Sequence, residues 1–268
     1  MPADYHTHTP LCMHAEGEPE QFIDAAIAAG VTEYGIADHA PTGLEVFDDW
    51  RMLYSQLPDY FAWVERAKAH AGDRLPIRVG MECDWLPGCE EWIEQLRGSY
   101  AWDYLIGSVH YINDGAAWDF DNPKWVGSKW AESDVEDVWV RYWQAYIAMA
   151  DSGLFDIFGH PDLIKKFGHR PEGDLRRFYE PAVDAIATSG AVIELNTAGW
   201  HKPCAEQYPH SDFLELARDG GIDLVISSDA HHPSEVARDF ERAKEVARAA
   251  GYQETVLLHQ GKRRYEEL

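Results

Sequence analysis

Nine side chains able to hold metal recur along the chain in short signatures: His6-x-His8, His14, Asp38-His39, Glu82, His110, His160 and Asp229-Ala230-His231. Each stands at or just past the end of an apolar, strand-like run. Alternate residues of a strand share a face, so His6 points with His8 and Asp229 points with His231. Seven imidazoles and two carboxylates suffice for three divalent ions with one carboxylate shared between two of them. Glu82, closing the run Ile77-Arg-Val-Gly-Met-Glu82, is placed to be that bridge between ions roughly 3.5–4 Å apart. Any one of these histidines alone reads as a structural residue. All of them at strand ends is the informative pattern.

Clustered divalent cations lower the pKa of a bound water and neutralise charge building on a phosphoryl group. The cluster therefore predicts hydrolysis of a phosphate ester. Asp229, directly or through a water, is the expected general acid for the leaving alkoxide. Cationic side chains are scarce, which makes those near the ligands informative. Lys165, Lys166 and Arg170 follow His160, and His201 and Lys202 follow the sixth strand-like run. These are expected to grip phosphate. Cys12 and Cys83 lie beside candidate ligands, but oxygen and imidazole donors already fill the predicted sites.

The elements that must position these groups alternate. Strands are predicted at Ala3–His8, Tyr34–Asp38, Ile77–Cys83, Tyr104–Val109, Phe155–Gly159, Ala191–Leu195 and Leu224–Ser227. Helical spacing lies between them, at Glu20–Ala29, Leu53–Ala71, Glu90–Leu96, Val135–Ala150, Leu175–Thr188, Phe213–Arg218 and Ser234–Ala249. Gly30 and Gly190 are placed to end helices. Such alternation implies a parallel sheet. Ligands spread over nearly all strand ends favour a closed barrel, whose strand ends converge on one face; an open sheet gathers its site at one switch point. The expectation is one α/β domain over residues 1–268, a distorted (β/α)7 barrel. The long connection Tyr111–Ser133 carries Trp118, Phe120, Trp125 and Trp130 with Asp114, Asp119 and Asp121, and follows His110. Its length predicts a functional role covering the site.

Composition narrows the class further. A net charge of −24 argues against a nonspecific nucleic-acid binder, which needs basic patches. Four cysteines without a C-x-x-C pair predict reduced thiols and a cytoplasmic protein. No apolar run approaches the ~20 residues that span a bilayer.

Together the motifs resemble those of the polymerase and histidinol phosphatase (PHP) superfamily, and within it the histidinol-phosphate phosphatases. The residues are His-Thr-His-Thr-Pro-Leu-Cys-x-His at 6–14, Asp38-His39, Gly80-Met-Glu82, Gly107-Ser-Val-His110, Gly159-His160-x-Asp162-Leu, Lys165-Lys166-Phe-Gly, Glu194-x-Asn196-Thr-Ala-Gly, Tyr208-Pro209 and Ser228-Asp-Ala-His231-His-Pro. The resemblance implies the barrel and a trinuclear centre of zinc, iron or manganese. It implies one ion on His6, His8, Glu82 and Asp229, a second on Glu82, His110 and His160, and a third on His14, His39 and His231. It further implies that L-histidinol phosphate is hydrolysed to L-histidinol and phosphate in histidine biosynthesis. The aromatic loop is then expected to pack the imidazole ring, with Asp119 or Asp121 meeting the ammonium. One position departs from the pattern: His201 stands where an arginine suited to phosphate is expected, and an imidazole is no substitute for a guanidinium fork. The alternative is a related phosphoesterase acting on nucleotides or nucleic-acid 3′ ends. A metal-keeping barrel without activity fits less well, because every ligand position is filled.

Overall fold

In a computed structural model, which describes residues 1–43, 47–113 and 117–268, the expected alternation is an α/β fold with a parallel sheet. Asp114 lies outside the described residues. Five strands, Glu82–Asp84, Ile106–Ser108, Ile157–Phe158, Val192–Asn196 and Leu224–Ser227, pair in that order, all parallel. Tyr34–Ile36 pairs in parallel with Ile77–Val79. Isolated parallel bridges join the pieces: His39 with Glu82, Asp4 with Tyr34, and Thr7 with Ala230. The result is a distorted ring of parallel segments rather than one continuous ladder. The predicted first strand, Ala3–His8, contributes only bridges. Even so, its backbone is bonded on both sides, Gly35 N to Asp4 O at 2.7 Å and His8 N to Ala230 O at 2.9 Å.

Inside the ring, Tyr5, Ala37, Tyr104, Ile106, Ile157, Val192 and Val225 form a compact apolar floor. Tyr104 is accommodated because Gly35 and Gly80 face it. A Cβ on Gly80 would lie 2.3 Å from the Tyr104 ring. Helices pack outside, burying their apolar stripes against the strands. Val135–Asp151 is the longest of them; Asp134 caps it through the amides of Glu136 and Asp137, and it buries Val138, Trp139, Tyr142, Trp143, Tyr146 and Met149.

Three expectations are corrected. The helix predicted over Ser234–Ala249 starts only at Phe240. Ala237 and Asp239 adopt positive φ of 54° and 62°, which an α-helix cannot contain. The C-terminal segment, not predicted as strand, forms an antiparallel hairpin, Glu254–His259 with Lys262–Glu267. Its Val256 and Leu258 seal the floor from below. Finally, Tyr111–Ser133 is built from a small hairpin, Tyr111–Asn113 with Ala117–Asp119, and short helical turns at Pro123–Trp125 and Lys129–Glu132. Among the described residues no helix is long and apolar enough to cross a membrane.

Candidate metal centre

At the C-terminal mouth of the ring, Glu82 sits almost fully buried at 1% exposure. Imidazoles surround both its oxygens. Oε2 is 2.8 Å from His39 Nδ1, 3.2 Å from His6 Nε2 and 3.7 Å from His8 Nε2. Oε1 is 2.9 Å from His160 Nε2 and 3.6 Å from His110 Nε2. One carboxylate thus presents each oxygen to a different group of nitrogens, as a bridging ligand must. Asp229 lies across the cage, 3.1 Å from His8 Nε2 and 3.9 Å from His6 Nε2. His231 stacks on His8 at 4.0 Å between centroids, and His14 on His231 at 4.5 Å. All nine predicted ligands are brought together.

The opposite edges of these rings are tethered. His6 Nδ1 bonds Glu194 at 2.8 Å, His110 Nδ1 bonds Asp84 at 2.7 Å, and His8 Nδ1 approaches Asp38 at 3.4 Å. His14 and His231 give Nδ1 to the carbonyls of Cys12 and Asp229, at 2.7 and 3.0 Å. Each of these five rings therefore aims its other nitrogen inward, the usual way of fixing tautomer and direction in a metal ligand. Several inward atoms are buried without a hydrogen bond among the described residues: His231 Nε2, and also His39 Nδ1, His6 Nε2 and Glu82 Oε2, whose close approaches to one another lack hydrogen-bond geometry. Buried polar atoms left unpaired are costly, and a cation would satisfy them together. The donor set, imidazole and carboxylate, fits zinc, iron or manganese. Ligand-bearing triads also converge, among them His6–Glu82–His160, His6–His8–Asp229 and His8–His39–His231. Cys12 reaches a triad with His14 and His231, but burial holds its thiol far above its ordinary pKa, which disfavours a thiolate ligand.

Charge is strongly redistributed in this cage. Burial opposes ionisation of Glu82 and Asp229, yet the surrounding imidazoles hold both well below the ordinary carboxylate range. Burial likewise opposes charge on His110, but Asp84 and Glu82 raise it to about 9. His39, where burial dominates, falls to about 4. Backbone geometry is also unusual. His160 and Asp229 hold positive φ of 24° and 55°, which non-glycine residues adopt where the surroundings insist on it.

Seven of the nine candidate ligands, all but His6 and His8, line one wall of a cavity of about 510 Å³. Of the predicted phosphate-gripping residues, Lys166 and Lys202 line it, as does Asp121. Lys166 Nζ is 3.0 Å from Asp121. The others are placed elsewhere. Lys165 is fully buried, its ammonium bonded to Asp162, Glu206 and the carbonyl of Gln207. Arg170 pairs with Glu206 at 2.5 Å. His201 turns outward to Asp239 at 2.6 Å. Asp119 is occupied by Trp125, Asn122 and Lys124. The loop aromatics Trp118, Phe120 and Trp130 are buried in the core, not turned to the cavity. Trp50 faces it instead, edge-on to His39 at 4.7 Å and His110 at 5.4 Å.

Sequence reasoning missed Asp49, Trp50, Glu235 and Arg238, which also line the cavity. Nothing in their spacing marks them. It also passed over Asp84 and Glu194 as orienting groups. Asp84 was findable, because it is two residues beyond Glu82 on the same strand and shares its face.

A PHP domain model matches residues 4–198. A probable histidinol-phosphatase of Deinococcus radiodurans is 40% identical over 96% of this chain and 96% of its own length. The histidinol-phosphatase of Lactococcus lactis is 23% identical over 94% of this chain and 92% of its own. The crystal structure of the Lactococcus lactis histidinol phosphate phosphatase, complexed with zinc, L-histidinol and phosphate, superposes with a TM-score of 0.80, at 23% identity and 98% coverage of both chains.

Proposed function

The chain belongs to the PHP domain family, among its histidinol-phosphatases, and on that footing we propose that it hydrolyses L-histidinol phosphate to L-histidinol and phosphate, a step of histidine biosynthesis. The observation that carries the reading is Glu82, a buried carboxylate whose two oxygens each face imidazoles. The family resemblance assigns three ions: one to His6, His8, Glu82 and Asp229, one to Glu82, His110 and His160, one to His14, His39 and His231. When bound, divalent ions there supply a Lewis-acidic centre that activates water and offsets charge on the transferring phosphoryl group.

The protein's own groups do the rest. Glu194, Asp84 and Asp38 hold the ligand rings in register. Asp229, directly or through a water it holds, is the group assigned to give a proton to the departing alkoxide. Lys166 and Lys202 bring positive charge to the cavity, where the dianionic phosphate needs it. Trp50 offers an aromatic wall for the imidazole ring, and Asp121 a partner for the ammonium. Residues 1–268 act as one unit in this reading, because Asp229 and His231 lie beyond the segment matched by the family model. Four free thiols suit a reducing cytoplasm.

The test is a panel of phosphomonoesters assayed with the metal-loaded protein. Histidinol phosphate is expected to give by far the highest kcat/KM. Chelator treatment should abolish turnover, and zinc or manganese should restore it. Equal rates across the panel would refute the substrate assignment, and full activity without metal would refute the mechanism.

A further inference from the structure

The position where the family resemblance expects an arginine for phosphate carries His201, which is turned to Asp239. We propose that Arg238 binds the phosphoryl group in its place; the inference rests on the phosphatase reading but not on which alcohol the phosphate carries.

Four observations support Arg238. It lines the cavity that the metal ligands line. Its guanidinium is held by Glu235, NH1 to Oε1 at 3.0 Å, while the other oxygen of Glu235 accepts the backbone N–H of His231 at 2.9 Å. The cation is thereby fixed relative to a candidate ligand of the centre. Glu235 engages only Nη1, so the guanidinium keeps terminal donors for an incoming oxygen anion, while its Nε is buried without a hydrogen-bond partner among the described residues. Finally, its backbone is held on purpose-built terms. Ala237 and Asp239, on either side, both have positive φ. Ala237 N donates to buried Asp4 Oδ2 at 3.0 Å, and Asp239 accepts from His201 Nε2 at 2.6 Å.

This last contact gives the departure at 201 a meaning. His201 does not grip phosphate. It braces the turn that presents Arg238, so the guanidinium reaches the cavity from the segment after His231 rather than from the segment after Asn196. Lys166, like Arg238, has a carboxylate partner, Asp121 at 3.0 Å, but its ammonium is a point charge. Lys202 is a point charge on a flexible, exposed stem. Arg238 alone among the cavity's cations offers a planar fork, the geometry that matches phosphate.

The experiment compares wild type, Arg238→Gln and Arg238→Lys, each metal-loaded, with metal content and thermal stability measured alongside. The readout is inhibition by inorganic phosphate, together with kcat/KM on histidinol phosphate and on p-nitrophenyl phosphate. Loss of a charge-assisted contact to phosphate should weaken inhibition by about tenfold to a hundredfold in Arg238→Gln. KM should rise for both esters alike, and Arg238→Lys should recover part of the loss. Unchanged phosphate inhibition at normal metal content would overturn the proposal. A wild type that prefers another ester would instead overturn the substrate assignment, leaving the Arg238 comparison intact. Should Arg238→Gln not fold, modification of wild-type arginines by phenylglyoxal, mapped by mass spectrometry, decides the matter. Phosphate should protect Arg238 from the reagent, and equal labelling with and without phosphate would refute its role.

Discussion

At the scale of the residue, the candidate centre is held by groups outside the cage itself. Asp84 is the clearest. It accepts from His110 Nδ1 at 2.7 Å with one oxygen and from buried Arg51 at 2.6 Å with the other. Asp84→Asn keeps the volume but offers an amide where an acceptor is needed. Metal affinity or kcat/KM is expected to drop ~10–100-fold, as for other orienting partners. A zinc titration with a competing chelator measures it, and wild-type affinity would show that His110 needs no such tether. The nine residues that converge in the cage were legible in the sequence because each follows an apolar run. The cavity's other walls were not. Trp50 and Arg238 look like any surface-loop residues until the fold turns them inward. Lys165 misled for the opposite reason: a lysine beside a ligand reads as functional, whereas this one neutralises buried Asp162.

At the scale of the element, strand–helix alternation was readable from periodicity, and its exceptions have local causes. The helix expected from Ser234 is apolar at the right spacing, but left-handed backbone at Ala237 and Asp239 delays it to Phe240. No pattern of hydrophobicity reports that. The floor imposes a second constraint that spacing could not disclose. Gly80 leaves room for Tyr104, whose hydroxyl reaches the carbonyl of Tyr5 at 2.6 Å. Gly80→Ala would push a methyl into that ring two residues before Glu82. It should cost about 1–3 kcal/mol, the range for overpacking a filled core. Urea unfolding gives the figure, and an unaltered midpoint would mean that Tyr104 can shift freely.

At the scale of the whole molecule, Glu33 ties distant parts of the chain. It accepts from Tyr5 at 2.8 Å, from Arg78 at 2.6 and 2.7 Å, and from Arg264 of the C-terminal hairpin at 2.6 Å. Glu33→Gln leaves partly buried Arg78 and exposed Arg264 without their carboxylate and should cost about 1–2 kcal/mol, less than breaking a fully buried pair because solvent screens the cations. Burial raises the Glu33 pKa, but Arg78 and Tyr5 more than offset this and depress it. A depressed folded value means the contribution is complete above the unfolded pKa of about 4.3 and fades as pH falls through the folded value. The stability gap between wild type and Glu33→Gln should therefore narrow only in acid; a constant gap down to pH 3 would contradict it. The bridge between Thr7 and Ala230 has a consequence of another kind. It stitches segments from opposite ends of the polypeptide, and the candidate ligands His6, His8, Asp229 and His231 stand on its two sides. Joining such remote segments is the slow, entropically expensive part of folding. Ions held across that seam would act as a clasp, coupling cofactor loss to unzipping of the circle. Amide exchange near residues 4–8 and 228–231 should slow more than anywhere else on loading.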